Sequence, residues 1–337
     1  MSPRPGPSAV VAGIGSYVPP NVVTNDDLAD RMDTSDEWIR SRTGIAGRHV
    51  ISPGTATSDL AVEAGWRAIK SADDDRVDAV VLATTTPDQL CPATGPQIAA
   101  RLGLGHVPAF DVSAVCSGFL YGLATASGLI AAGVAGRVLL LGADAFTTII
   151  NPTDRSTAVI FADGAGAVVL RAGEPDEPGA IGPQILGSDG ELSGLIEVPA
   201  GGSRQRSSGV PAAPGEEYFR MAGRDIYRHA VGRMVASSED AVRARGWRME
   251  DVDRFGAHQA NARILTAVSE RLGLPEERCL SNIERVGNTG AASIPLLLSE
   301  AAAGGSLLPG HRLLLTAFGG GLSWGATTLV WPEVRSV

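Results

Sequence analysis

Arg137–Phe146 reads RVLLLGADAF, and His311–Gly320 reads HRLLLTAFGG. Each is a run of aliphatic residues that passes into a turn of small residues, the pattern of a strand covered on both faces. Two further pairs flank them in the same order. VDAVVLATTT at Val77 resembles VDRFGAHQAN at Val252, and GAGAVVL at Gly164 resembles WGATTLV at Trp324. The chain therefore reads as an α/β unit present twice, with the break over residues 171–188. Residues 1–180 form an N-terminal half and 181–337 a C-terminal half.

Helix signals alternate with the strands. Strands are expected at 8–14, 78–84, 109–112, 137–141, 165–170, 252–257, 311–317 and 326–330. Helices are expected at 25–32, with Asn25 as cap, and at 58–71, 95–102, 117–132, 220–245, 260–272 and 291–303. Residues 189–217 are rich in Gly, Ser and Pro and lack a period. A loop of that length in a compact domain is either disordered or functional, for instance as the cover of a site.

Composition narrows the class. The 337 residues carry 28 Lys and Arg against 37 Asp and Glu, a net charge of −9. Phosphate binding needs clustered cations, so nucleic acid is not expected as a partner. Hydrophobic residues make up 44%, charged residues 19% and aromatics 5%, which excludes a disordered chain and implies a core of Ala, Val, Leu and Ile. No run of about 18 apolar residues is present, so no membrane span is expected. Met1–Ser8, rich in Pro and Ser, reads as a frayed tail. Three cysteines, Cys91, Cys116 and Cys279, fit neither a disulfide framework nor a metal site, as in a reducing cytoplasm. Cys279 reads as a small buried hydrophobe.

Cys116 lies in AFDVSAVCSGF, where a strand runs into a helix. A thiol at a helix N-terminus meets the positive end of the dipole, so a favoured thiolate is expected. His258 ends a strand and opens a helix in AHQAN. Asn288 sits in the turn GNTGAAS. A Cys to accept an acyl group, with a His and an Asn to donate hydrogen bonds to an enolate oxygen, suits thioester chemistry. Phe318-Gly319-Gly320-Gly321 follows a strand, and its bare backbone suits an oxyanion hole. A dinucleotide loop is not expected, since GIGSYV has Val18 at the place of its last Gly.

These motifs, with TSDEWIRSRTGI at Thr34–Ile45 and PTDRSTAVIFADGAGAVVL at Pro152–Leu170, resemble the β-ketoacyl-ACP synthase III family of the thiolase-like superfamily. The resemblance implies a five-layered αβαβα sandwich of two duplicated halves. It implies that Cys116 is the nucleophile and that His258 and Asn288 serve decarboxylation. The Cys116 and Gly320 N–H groups would form the oxyanion hole. Trp38, Arg42 and Arg155 would bind coenzyme A. It also implies a homodimer, acyl-CoA as substrate, an acyl carrier protein as partner, and no cofactor or metal. Arg228 and Arg263 match cationic positions of the carrier docking surface, and Arg220, Arg224, Arg228 and Arg233 would share one helix face. Phe318 and Cys91 match the acyl pocket, Cys91 across the dimer. Cys91 stands where a large aromatic can close that pocket, so a starter longer than acetyl is expected. Glu270 and Arg224 depart from the family pattern at the carrier and pantetheine contacts. The competing readings are plain acyl transfer on the same scaffold, a type III polyketide synthase, and a non-catalytic subunit; retention of Cys116 and Asn288 argues for condensation.

Overall fold

The computed structural model describes residues 6–335. The first five residues of the expected tail lie outside them, and Ser8 belongs to β1 (Ser8–Tyr17). Strands β2 (Asn21–Thr24) and β3 (Gly47–Val50) pair around α1 (Asn25–Ala29) and α2 (Asp36–Thr43). Asn25 does not cap α1. Thr24 does: its hydroxyl accepts the Asp27 N–H at 3.2 Å, and the Asp27 carboxylate accepts the Thr24 N–H at 2.8 Å. Asn25 is buried instead, donating to Asp36 and to the Ile45 carbonyl and accepting from Arg48.

The chain continues through α3 (Thr57–Ser71), β4 (Ala79–Ala83), α4 (Gly95–Arg101), β5 (Ala109–Val112), α5 (Gly118–Ala131), β6 (Arg137–Ala145) and β7 (Asp163–Gly173). The first sheet has the order β1-β7-β6-β4-β5. β4 runs parallel to β5 and β6, and β7 is antiparallel to β6 and β1. Every residue of β4 is buried, which is why its sequence shows no alternation.

The rest of the chain forms β8 (Ile185–Ser188), β9 (Ile196–Glu197), α6 (Ser203–Ser207), β10 (Arg220–Met221), α7 (Gly223–Ala244), β11 (Arg254–Ala257), α8 (Ala262–Leu272), α9 (Ile283–Val286), α10 (Ser293–Ala303), β12 (Arg312–Gly319) and β13 (Ser323–Val330). The second sheet has the order β11-β12-β13-β8. Arg220 is thus not on the helix expected from 220. It lies on β10 and pairs with Glu197 at 2.5 Å, so it leaves the predicted arginine face.

Two helices lie between the sheets. Phe119 and Leu123 of α5 and Ile294 and Leu297 of α10 share one core with Leu140 of β6 and Leu315 of β12. Helices α3 and α4 cover the outer face of the first sheet, and α7 and α8 the outer face of the second. This is the five-layered αβαβα sandwich. Burying each Leu, Ile or Phe contributes about 1.5–3 kcal/mol, so the shared central layer ties the halves together.

Candidate active site

A cavity of about 950 Å³ opens between the halves. Cys116, His258 and Asn288 all line it, as do Trp38, Arg42, Arg155, Phe318 and Arg263. Arg224 and Glu270, the two departures from the family pattern, line it as well. Much of its wall is apolar, with Phe161 and Phe219 packed edge to face at 5.0 Å and Ile196 and Met221 beside them. Ile196 brings the expected covering segment into the wall.

Cys116 sits in a tight turn, Val115–Ser117, between β5 and α5. Val115 has φ 46°, a left-handed conformation that a β-branched side chain adopts only under strain. The sharp turn presents Cys116 to the cavity while Ser117 is fully buried. The expected thiolate is not favoured. Burial pushes the Cys116 thiol up to about 12, and the nearby charge of Asp144 adds to this. The dipole at the start of α5 does not overcome desolvation, so the resting group is a thiol.

His258 follows β11 and extends its ladder, its N–H donating to the Thr316 carbonyl at 2.9 Å. It does not open a helix. α8 begins at Ala262, where the Asn261 side chain accepts the Arg263 N–H at 2.9 Å. Burial lowers the His258 pKa to about 3, and its Nδ1 meets no partner among the described residues. The ring is neutral at pH 7. Gln259 holds the turn behind it: its Oε1 accepts from Asn282 N–H and the Ser281 hydroxyl, and its N–H donates to Ser293.

Asn288 belongs to the C-terminal half, but its backbone is pinned to the N-terminal half. Its N–H donates to the Ile160 carbonyl at 3.0 Å, and its carbonyl accepts the Ala162 N–H at 2.8 Å. Its Oδ1 accepts the Gly290 N–H at 3.0 Å, which orients the amide so that Nδ2 is the group left to donate.

Gly319 and Gly320 of the glycine run stand in different surroundings. A Cβ on Gly319 would stand 2.8 Å from the Cys116 N and 2.9 Å from the Ser117 N. Gly319 is therefore where β12 touches the Cys116 turn. The next N–H, that of Gly320, finds no acceptor among the described residues. Ser117 and Ser323 join the two turns, with their hydroxyls 2.7 Å apart and Ser323 Oγ 2.8 Å from the Gly320 carbonyl.

The Arg42 guanidinium lies 4.4 Å and that of Arg155 4.6 Å from the centre of the Trp38 ring. A purine held between a ring and a guanidinium needs about 7 Å, two van der Waals contacts. Arg155, which donates to the Asp33 carbonyl at 2.5 Å, must therefore swing outward before it and Trp38 can hold an adenine between them.

Some expected residues stand apart from the cavity. Arg228 is exposed outside it and pairs with Asp225 at 3.0 Å. Arg233 is spent on Trp324, over which it stacks at 4.3 Å, and on Asp189 at 3.6 Å. Cys91 is exposed and does not line the cavity of its own chain. Cys279 is half-buried, not sealed in the core.

A family description, 3-oxoacyl-[acyl-carrier-protein] synthase III, matches residues 110–190, and that of its C-terminal part matches 242–331. The chain is 59% identical to β-ketoacyl-[acyl-carrier-protein] synthase III 3 of Streptomyces coelicolor over 332 residues, covering 98% of this chain and 99% of the relative. The chain belongs to the β-ketoacyl-ACP synthase III family. It is an acyltransferase of that type. The synthase III of Pseudomonas aeruginosa is 50% identical over 327 residues, covering 97% of this chain and 98% of the relative. A crystal structure from Pseudomonas aeruginosa PAO1 superposes with a TM-score of 0.91 at 48% identity, covering 97% of this chain and 99% of that one. The priming β-ketosynthase of the R1128 polyketide pathway superposes with a TM-score of 0.90 at 32% identity, covering 99% of each chain.

Sequence reasoning missed three parts of this synthase III site. Gln259 lies inside the AHQAN stretch but shows its role only through its bonds. Ser117 and Ser323 are 206 positions apart, and nothing in the chain pairs them. Asp144 offered a signal that went unread: a carboxylate at the end of the buried run RVLLLGAD.

Proposed function

We propose that this chain condenses an acyl-CoA starter with malonyl-ACP through an acyl-Cys116 intermediate, and so primes fatty acid or polyketide chains. The observation that carries this is the convergence on one cavity of a thiol, a neutral histidine and an amide whose Nδ2 makes one long bond, 3.5 Å to the Ala260 carbonyl, and keeps its second hydrogen to donate. In the first half-reaction Cys116 sulfur attacks the thioester carbonyl. Its proton leaves as the bond forms, because a thiol held near 12 is not ionised beforehand. The carbonyl oxygen gathers charge against the Cys116 and Gly320 N–H groups. The C–S bond to coenzyme A breaks, and its thiolate takes up a proton.

In the second half-reaction malonyl-ACP loses CO₂. The electron pair of the broken C–C bond becomes an enolate, whose oxygen receives hydrogen bonds from neutral His258 and from Asn288 Nδ2. A neutral donor suits this role, since a cationic histidine would protonate the enolate and waste the carbanion. The carbanion attacks the acyl-cysteine, and Cys116 leaves as the β-ketoacyl-ACP departs. No step calls on a metal or cofactor.

Trp38, Arg42 and Arg155 would hold the nucleotide end of coenzyme A at the cavity mouth. Arg263, at the same mouth, and Arg228, outside it, would meet an acidic carrier despite the net charge of −9. Cys91, exposed on its own chain, would reach the acyl pocket of a partner across a homodimer and leave room there for a starter longer than acetyl. Acylation of Cys116 read by intact mass, with CO₂ release from malonyl-ACP, tests the condensation. Acylation without CO₂ release would show plain acyl transfer instead. A panel of acetyl-, butyryl-, isobutyryl- and hexanoyl-CoA tests the starter, and a strong preference for acetyl would refute the longer pocket.

A further inference from the structure

Asp144 closes β6 and is fully buried. Its Oδ1 accepts from the Thr85 N–H at 2.6 Å, the Thr84 hydroxyl at 3.1 Å, and the Thr86 N–H and hydroxyl at 3.3 Å each. Its Oδ2 accepts the Ala291 N–H at 2.7 Å. Five donors and no acceptor suit a carboxylate anion, and although burial pushes its pKa up to about 6 the group is charged at pH 7.

The Ala291 contact gives this carboxylate a reach beyond its own sheet. Ala291 belongs to the Asn288 turn, and the Asn288 side chain is oriented by the adjacent Gly290 N–H. Gly290 has φ 58°, and a Cβ there would stand 2.3 Å from Asp144 Oδ2, so only glycine lets the turn close on the carboxylate. Ala291 also packs against the start of α5: a Cβ on Gly118 would meet the Ala291 Cβ at 3.4 Å. One buried group thus holds a turn that touches both the enolate donor and the nucleophile's helix.

We propose that Asp144 is a positioning residue of this synthase, locking the Asn288 turn against the Cys116 turn so that one geometry serves both half-reactions. Its charge has a second effect, which makes the role measurable: it opposes ionisation of Cys116. Cys116 feels this charge, and the acidic groups on the elements packed around Asp144 have partners of their own. Asp163 on β7, opposite Ala145, is engaged by Thr147 and the Ile51 N–H. Asp59 on α3 pairs with Arg101, and Asp88 after β4 accepts the Ser58 N–H.

The test is Asp144→Asn in the full chain, and it rests in part on the condensation reading above. Iodoacetamide alkylation of Cys116 is followed against pH by peptide mass, beside Cys116 acylation and CO₂ release from malonyl-ACP. The alkylation midpoint is expected to fall by about one pH unit or more once the opposing charge is gone. CO₂ release is expected to fall about 10-fold or more relative to acylation, because the Asn288 turn loses its anchor. An unmoved midpoint with an unchanged ratio overturns the proposal, since a purely structural role would lower both activities together and leave the profile in place. Should that variant fail to fold, Thr84→Val removes one donor and keeps the shape. An unchanged ratio of CO₂ release to acylation in it overturns the proposal equally. Alkylation needs no acyl substrate. A shifted midpoint in an enzyme whose wild type releases no CO₂ would therefore sink the condensation reading and still uphold the link from Asp144 to Cys116.

Discussion

Replacing Gly319 by Ala probes the contact on which the proposed oxyanion hole depends. The added Cβ would lie 2.8 and 2.9 Å from the backbone nitrogens of Cys116 and Ser117, while ordinary contact begins near 3.4 Å. These are backbone atoms held by a turn and a strand, so no side chain can rotate away. β12 and the Cys116 turn must separate by about 0.6 Å. Overpacking of this kind costs about 1–3 kcal/mol of stability. Misplacement of reacting groups by about 1 Å costs about 10²-fold in rate, and loss of an oxyanion donor about 10²–10³-fold. Acylation of Cys116 by acyl-CoA, followed by mass, should slow about 10- to 100-fold, with a melting temperature only a few degrees lower. Gly320→Ala is the contrast. Its Cβ would meet side-chain atoms of Ile196 at 2.9 Å and Val115 at 3.1 Å, and Ile196 can yield. Gly320→Ala should therefore acylate faster than Gly319→Ala. The reverse order, or a Gly319→Ala rate within about threefold of wild type, would refute the reasoning.

Three further outcomes follow from the same geometry. The His258 pKa is near 3 when folded and near 6.5 when unfolded, so the unfolded chain binds the extra proton; stability should fall as pH drops from about 6.5 towards 3, with His258 contributing at most about 1.4 kcal/mol per pH unit, and the slope should become shallower in His258→Asn when unfolding is measured against pH, the lowered pKa of His311 keeping part of it. Alkylation of Cys116 by iodoacetamide should keep rising in rate above pH 9; a plateau below pH 8 would contradict the burial argument. Trp38→Ala should raise KM for acyl-CoA about 10-fold with little change in kcat once saturated, and a KM within twofold of wild type would remove Trp38 from the binding site.

Much of the architecture was legible because buried strands leave a strong mark. Fully covered stretches such as 79–83 and 138–141 are continuous aliphatic runs, and their recurrence in the same order marks a duplicated unit. The motifs around Cys116, Asn288 and Gly319–Gly321 were legible for a related reason: close approaches, such as Gly319 to the Cys116 turn and Gly290 to Asp144, leave small residues in fixed places. Element ends were less legible. Thr24 rather than Asn25 caps α1, and α7 starts after Arg220, because caps and strand pairing depend on partners such as Asp27 and Glu197.

The sequence by itself determined the alternation of strands and helices and the motifs that hold Cys116, His258 and Asn288, since each rests on local pattern and residue type; the layer order followed from the family those motifs resemble. Tertiary structure alone decided their chemical state. Cys116 stands at a helix start that favours a thiolate, yet it rests as a thiol because burial and Asp144 outweigh the dipole. His258 is neutral because the fold surrounds it with apolar wall. Asn288 donates through Nδ2 because Gly290 claims its oxygen. Desolvation and the assignment of hydrogen bonds depend on which distant segments meet, and that information exists only once the chain has folded.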